Sequence, residues 1–301
     1  MITLNRIVVG LDLTDVDKKI IQYVAELAQQ FKQPKIYFLH VIQAYDLPDK
    51  ASKSYPDLET SLTQLIRDEL HTAIRPELIG QEYEIVIRVD EENAAKVVME
   101  FVKTHNIDLT VLGEKAGQDR TSYYGRKIAR EVQSDVIFVP EYAEVRFDTI
   151  MYATDFSRES ERAFHLARHL AASAGMQFYY LHDTTSAYFP MGTVPTTQRR
   201  VRRRIEKKKA QFGKRLKINK EYIEPVVYEH GNLENPASTM LKTAADKQSD
   251  LIVVGAKGFP GNVTTLLGNI SENLRVMEKE IPVWITKNQS QYLGFWDKLM
   301  G

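Results

Sequence analysis

Two aspartates and a run of glycines are the residues best placed to do chemistry. Asp12 and Asp155 each follow a short apolar run, Leu4–Leu11 in the first case and residues 149–154 in the second. A carboxylate at the carboxyl end of a buried strand can accept hydrogen bonds from a ribose or a base amine. It can equally cap the helix that follows, as Asp commonly does. The glycine run is Gly255-Ala256-Lys257-Gly258, followed after nine residues by Gly268-Asn269. Glycines let backbone N–H groups close on phosphate oxygens, and a helix opening at Gly268 adds a favourable dipole. The Asn269 side chain can donate one more hydrogen bond. The competing reading is that these glycines only mark turns. A weaker version of the same pattern occurs earlier, at Gly113 and Gly125-Arg126. There Ala116 stands where the second glycine belongs, and the spacing from it to Gly125 is one residue short.

The two sets of residues belong to a duplicated unit. "RIVVGLDLTD" at 6–15 aligns with "TIMYATDFSR" at 149–158, and "NIDLTVLGEKAG" at 106–117 with "QSDLIVVGAKGF" at 248–259. Asp12 maps to Asp155, His40 to His182, Asp108 to Asp250, Gly113 to Gly255 and Gly125 to Gly268, each at an offset of 142 or 143. Two long copies at a constant offset imply a tandem domain pair. Domain 1 is expected over 1–142 and domain 2 over 147–290, with an apolar tail over 291–301.

Each copy alternates strand and helix signals. In the first, strands are expected at 4–11, 35–42, 84–89, 109–112 and 136–139, and helices at 15–32, 57–79, 91–104 and 122–132. The first helix carries Val16, Ile20, Val24, Leu27 and Phe31 at helical spacing. The second carries Leu58, Leu62, Leu65, Ile66 and Leu70. In the second copy strands are expected near 149–154, 177–182, 222–228, 250–254 and 282–286. This alternation with short all-apolar strands predicts an α/β fold, two tandem doubly wound five-stranded parallel sheets covered by helices on both faces. In such sheets ligands bind beyond the carboxyl ends of the strands, where the strand order reverses.

The order of features (a strand-one Asp, "LH" ending strand two, then G-x2-G-x9-G-N) resembles the universal stress protein family. That family's motif ends in Ser or Thr where this chain has Asn269. The resemblance implies a Rossmann-like fold, similar to the adenine nucleotide alpha hydrolases, and a regulatory module that binds ATP, with or without magnesium. It implies a site at Asp155, Gly255, Lys257, Gly258, Gly268 and Asn269. Domain 1, with Asp12, Gly113, Gly125 and Arg126, is expected to bind weakly or not at all. The family also implies dimers, here a homodimer or an intramolecular domain pair, and slow ATP hydrolysis at most. A scaffold with decayed sites and a slow ATPase are the alternatives.

Composition limits the function classes. There are no cysteines, which removes disulfides, thiolate metal sites and cysteine nucleophiles. No apolar run approaches the roughly 18 residues of a membrane helix, and the amino-terminal stretch lacks a secretory leader's pattern, so a cytoplasmic location is expected. The zero net charge divides unequally: residues 1–142 carry 17 basic and 23 acidic side chains, and the remainder 23 basic and 17 acidic. That balance makes a nucleic-acid partner unlikely for the whole chain. The run Arg199–Lys209 holds eight basic residues in eleven. It reads as a solvated helix face or as a surface for an acidic partner. His165 and His169 lie one helical turn apart, but the glutamate of a zinc-binding H-E-x-x-H helix is missing. No phosphate loop of the G-x-x-x-x-G-K-[ST] type and no G-x-S-x-G elbow is present. Neither a catalytic group nor a metal site is expected.

Overall fold

The computed structural model describes residues 2–43, 58–90, 93–115, 119–154, 156, 160–171, 179–183, 195–217, 224–228, 236–255 and 281–287. The chain divides into two compact units with the boundary at Arg146 and Phe147. Unit 1 runs β1 (Arg6–Leu11), α1 (Val16–Gln29), β2 (Lys35–Gln43), α2 (Leu58–Ile74), β3 (Tyr83–Asp90), α3 (Ala94–Thr104), β4 (Leu109–Glu114), α4 (Asp119–Glu131) and β5 (Asp135–Pro140). Unit 2 runs β6 (Ile150–Ala153), α5 (Glu161–Ala171), β7 (Tyr179–Asp183), α6 (Pro195–Leu216), β8 (Glu224–Tyr228), α7 (Pro236–Asp246), β9 (Leu251–Gly255) and β10 (Val283–Thr286).

Within unit 1 the strands lie in the order β3-β2-β1-β4-β5, and within unit 2 in the matching order β8-β7-β6-β9-β10. The paired strands within each unit run parallel, with Leu11 opposite His40, Val9 opposite Val111, and Ala153 opposite Val254. Winding proceeds outward from β1 in one direction and then restarts on its other side with β4. The reversal therefore falls between β1 and β4, and in unit 2 between β6 and β9. The middles of the inner strands are largely apolar because helices cover both faces. Val8, Val9, Leu109, Val111, Ile252 and Val253 are fully buried.

The repeat is visible in the backbone as well as in the sequence. Leu13 and Phe156, at equivalent positions just after the first strand of each unit, both take φ of 61°. Asn106 and Gln248, just before β4 and β9, have φ of 48° and 53°. The landmark pair Asp108 and Asp250 does the same structural work twice. Asp108 Oδ2 accepts hydrogen bonds from the backbone N–H of Asn5 (2.7 Å) and Arg6 (3.1 Å). Asp250 Oδ2 accepts one from Thr149 N–H (2.9 Å). Each carboxylate ties the start of one central strand to the start of its neighbour.

Two expectations about helices change. The second helix ends at Ile74 rather than 79. Pro76 disfavours helical geometry at Arg75, and the next residues form turns up to Gly80, whose φ is +77°. Its buried face is Ile66, Leu70 and Ile74, at four-residue spacing, whereas Leu65 is 66% exposed. The first helix ends at Gln29, ahead of Gln33 in left-handed geometry and Pro34.

Candidate functional site

The carboxyl ends of β1, β2 and β4 open into a cavity of about 540 Å³ in unit 1, at the point where the strand order reverses. Strand residues Leu11, Leu39 and Leu112 form its floor, and Val16 and Ile20 of α1, Ile66 of α2 and Val98 of α3 form much of its wall. Among the described residues its polar lining is Asp12, Asp17, His40, Lys115 and Tyr124.

The turn from β1 into α1 is held by Asp17. One of its carboxylate oxygens accepts from Asp12 N–H at 3.3 Å and the other from Leu13 N–H at 2.8 Å. Those bonds support Leu13 in left-handed backbone geometry, which costs a non-glycine residue about 1–2 kcal/mol. Asp17 is only 7% exposed. Burial, and after it the neighbouring Asp12 carboxylate, push its pKa up to about 7 against the lowering effect of the two backbone N–H groups. Asp12, by contrast, is exposed and accepts from Thr14 Oγ1 at 2.6 Å. Asp17, in the first turn of α1, thus braces the loop ahead of the helix, and the N-cap residue, Asp15, makes no side-chain capping bond. Sequence reasoning passed over Asp17; the signal available was an acid in the first turn of a helix whose apolar face begins at Val16.

His40 ends β2 on the cavity wall and is 8% exposed. Its Nδ1 lies 3.0 Å from the Leu11 carbonyl oxygen. A carbonyl can only accept, so Nδ1 carries the proton. Burial holds the ring's pKa below the ordinary histidine value, opposed by Leu11 O and by Asp12. The neutral ring then presents Nε2 as an acceptor.

Of the remaining unit-1 candidates, Gly113 and Gly125 both line the cavity, and each also lies in a close helix–strand contact. A Cβ at Gly113 would lie 2.5 Å from Ile20 Cδ1 and 3.0 Å from Val16 Cγ1, so β4 touches α1 there. A Cβ at Gly125 would lie 3.1 Å from the Phe138 ring, where α4 meets β5. Arg126 is half-buried on α4 and does not line the cavity.

In unit 2, Gly255 ends β9 beside β6, while Asp155, Lys257, Gly258, Gly268, Asn269 and the tail 291–301 lie outside the described residues. The turn after β6 is held differently from its counterpart. Phe156 N–H donates to Thr154 Oγ1 (2.9 Å), Thr154 Oγ1 lies 2.8 Å from Ser160 Oγ, and Tyr152 O–H donates to the Ser160 carbonyl (2.7 Å). Arg215, near the end of α6, pairs with Glu161 at 2.6 Å and reaches the Phe156 carbonyl at 3.4 Å. The basic run Arg199–Lys209 is helical as expected, with Arg203, Glu206 and Lys207 exposed. His165 is exposed on α5, and among the described residues no group of three or more His, Asp or Glu could hold a metal ion.

The universal stress protein family matches residues 3–140 and again residues 146–287. The chain belongs to the universal stress protein family. It is a tandem member, with one copy of the unit in each match. A universal stress protein from Archaeoglobus fulgidus DSM 4304 is 15% identical, with a TM-score of 0.66 over 95% of this chain and 97% of that one. A structure from Pseudomonas aeruginosa UCBPP-PA14 bearing the same family name is also 15% identical, with a TM-score of 0.57 over 99% and 98%. At this identity the likeness shows the fold, an α/β sheet of the Rossmann-like kind. A single-copy universal stress protein from Archaeoglobus fulgidus, solved with dAMP, is 19% identical over 46% of this chain and 98% of its own, with a TM-score of 0.33. No curated protein matches the chain. Among the described residues no helix is long and apolar enough to cross a membrane.

Proposed function

We propose that this universal stress protein is a regulatory module that binds an adenine nucleotide, ATP with or without magnesium, in its second copy. The observation that carries the reading is the pairing of β6 with β9, parallel and with Ala153 opposite Val254. The chain leaves these two adjacent strands in the same direction, into Asp155 from one and into the Lys257-Gly258 run from the other. That is the crevice position at which an open parallel sheet takes ligands. The roles follow from chemistry: Asp155 accepts from a ribose or base amine, and the N–H groups of Gly255, Gly258 and Gly268, with Lys257 and Asn269, meet the phosphates. Bound nucleotide then shifts the population of a conformation or assembly that partners recognise. The same reading has the protein acting in the cytoplasm, as a homodimer or through its own two copies, with Arg199–Lys209 offered to an acidic partner.

The test is to denature the purified protein, identify released nucleotide by mass spectrometry, and then titrate ATP and magnesium calorimetrically. About one nucleotide per chain, lost in Gly258→Arg and kept in Ala116→Arg, is expected. No released nucleotide and no heat of binding would remove this reading and leave a scaffold whose glycines are turns. Turnover above background that disappears in Asp155→Ala would instead make the protein a slow ATPase.

A further inference from the structure

Helix α6 carries ten basic residues and one acidic residue, Glu206, a net charge of +9 over 22 positions. Its counterpart in the other unit is α2, which likewise connects the second strand to the third. That helix carries one arginine against three acidic residues. The duplication thus supplies its own control. The same place in the same fold is filled without a cationic helix, so packing does not call for the charge. Helix stability does not call for it either. Basic residues along Arg199–Lys209 repeatedly stand four positions apart, Arg203 and Lys207 among them, and like charges at that spacing destabilise a helix. A face that served only solvation would alternate its signs.

The helix is anchored by its apolar side. Phe212 is fully buried, with its ring 6.5 Å from that of Tyr152, 5.7 Å from Phe156 and 6.0 Å from Phe164. On the side away from Phe212, Arg203, Lys207 and Lys214 are exposed. The helical period places these three within about 40° of one another, in a row about 16 Å long. None of them has an ion-pair partner among the described residues. Every exposed residue described on α6 is polar, so this face lacks the apolar core of a protein–protein interface. Nor is Phe212 available to sink into a bilayer, as the apolar side of a membrane-surface helix does. Nucleic-acid interfaces, by contrast, are polar and strongly positive. Six of the ten cations are arginines, whose planar fork matches phosphate oxygens. With Phe212 buried, α6 offers no described aromatic on which the bases of a single strand could stack.

We infer that α6 is a docking face for the phosphate backbone of a nucleic-acid duplex, held without reading its base sequence. This gives the acidic partner of the proposed function a chemistry, and it needs no nucleotide bound in the second copy. The zero net charge of the chain provides no general attraction to a polyanion. The contact is therefore local to the helix and steeply dependent on salt. The chain-wide balance, which points away from nucleic acid, conceals it.

The experiment is fluorescence anisotropy of a labelled DNA duplex of mixed sequence, titrated with the full-length protein over a range of salt. Three phosphate contacts give a slope of about −2.7 in log affinity against log salt, a fall of about fortyfold between about 50 and 200 mM. Arg203→Gln should reduce that slope by about 0.9, and the triple variant R203Q/K207Q/K214Q should abolish binding. A duplex of unrelated sequence should bind equally well. Lys103→Gln, which neutralises an exposed cation on α3, should leave both affinity and slope unchanged. The triple variant relieves the repulsion between Arg203 and Lys207, so its circular dichroism should match wild type; if it does not, the slope of Arg203→Gln decides. The inference is overturned by no duplex binding at low salt, by an unchanged slope in Arg203→Gln, or by an equal loss in Lys103→Gln. Tighter binding of polyglutamate, of phosphatidylserine vesicles or of a single-stranded oligonucleotide than of the duplex would overturn it as well. A failed ATP titration with the duplex still bound would overturn the second-copy reading and leave this one intact.

Discussion

Replacing Asp17 by Asn should convert a pH-dependent turn into a pH-independent one. In the folded chain the Asp17 carboxyl has a pKa of about 7, against 3.8 for the ordinary side chain. An acid whose pKa is raised by folding holds its proton more tightly in the native state. It costs nothing below the ordinary value, and its ionisation removes stability progressively as pH climbs from about 4 to about 7. Three pKa units at 1.36 kcal/mol each set the ceiling near 4 kcal/mol. Between pH 5 and pH 8.5 the linkage relation leaves about 2–3 kcal/mol. Asn keeps one acceptor for the Asp12 and Leu13 N–H groups and never ionises, so it resembles the protonated wild-type side chain. The variant should therefore lie within about 1 kcal/mol of wild type at pH 5. At pH 8.5 it should gain on wild type by the 2–3 kcal/mol just derived. Both tryptophans, Trp284 and Trp296, lie in the second half of the sequence, so their fluorescence is a poor probe of this turn. The assay is amide hydrogen exchange by mass spectrometry on peptides covering β1 and α1 at the two pH values, corrected for intrinsic exchange rates. A stability difference that stays constant with pH, or that moves against the variant on raising pH, would refute the reasoning.

Two further outcomes follow from the same region. Gly113→Ala should cost about 1–3 kcal/mol in urea unfolding by overpacking against Ile20 and Val16, and Ile20→Val, which removes the clashing Cδ1, should recover part of that loss in a double-mutant cycle. At Leu13, with φ of 61° and 40% exposure, Gly should be neutral or stabilising by up to about 1 kcal/mol, whereas β-branched Val should destabilise by about 1 kcal/mol or more, measured the same way.

Most of the architecture was legible in the sequence because it rests on patterns of the backbone period. The strands are short apolar runs and the helices carry stripes such as Val16, Ile20, Val24 and Leu27, all buried. The duplication could be found because the landmark residues keep a constant offset. Boundaries were less legible where a single residue overrides a stripe, as Pro76 does for α2. The site was legible only in part, because composition does not reveal which of two reasons keeps a glycine. Gly113 and Gly125 fit a phosphate pattern on paper and a helix–strand contact in three dimensions. Nor does spacing distinguish an acid that faces a ligand from one that holds a turn. Asp12 attracted attention as the residue after the strand, while Asp17, five positions on, makes the bonds that hold the loop.

The two equivalent turns also constrain how one copy can change into the other. Aligned at an offset of 143, Leu11 stands opposite Thr154, and Asp17 opposite Ser160. In one copy a single carboxylate reaches back to two N–H groups; in the other a pair of hydroxyls shares the task. Asp17→Ser alone would leave Leu13 N–H without its acceptor, since Leu11 has no hydroxyl, and Leu11→Thr alone would add a buried hydroxyl beside a carboxylate already engaged. Only the double exchange arrives at the other solution, so the two positions should be energetically coupled, the loss in the double variant being smaller than the sum of the two single losses.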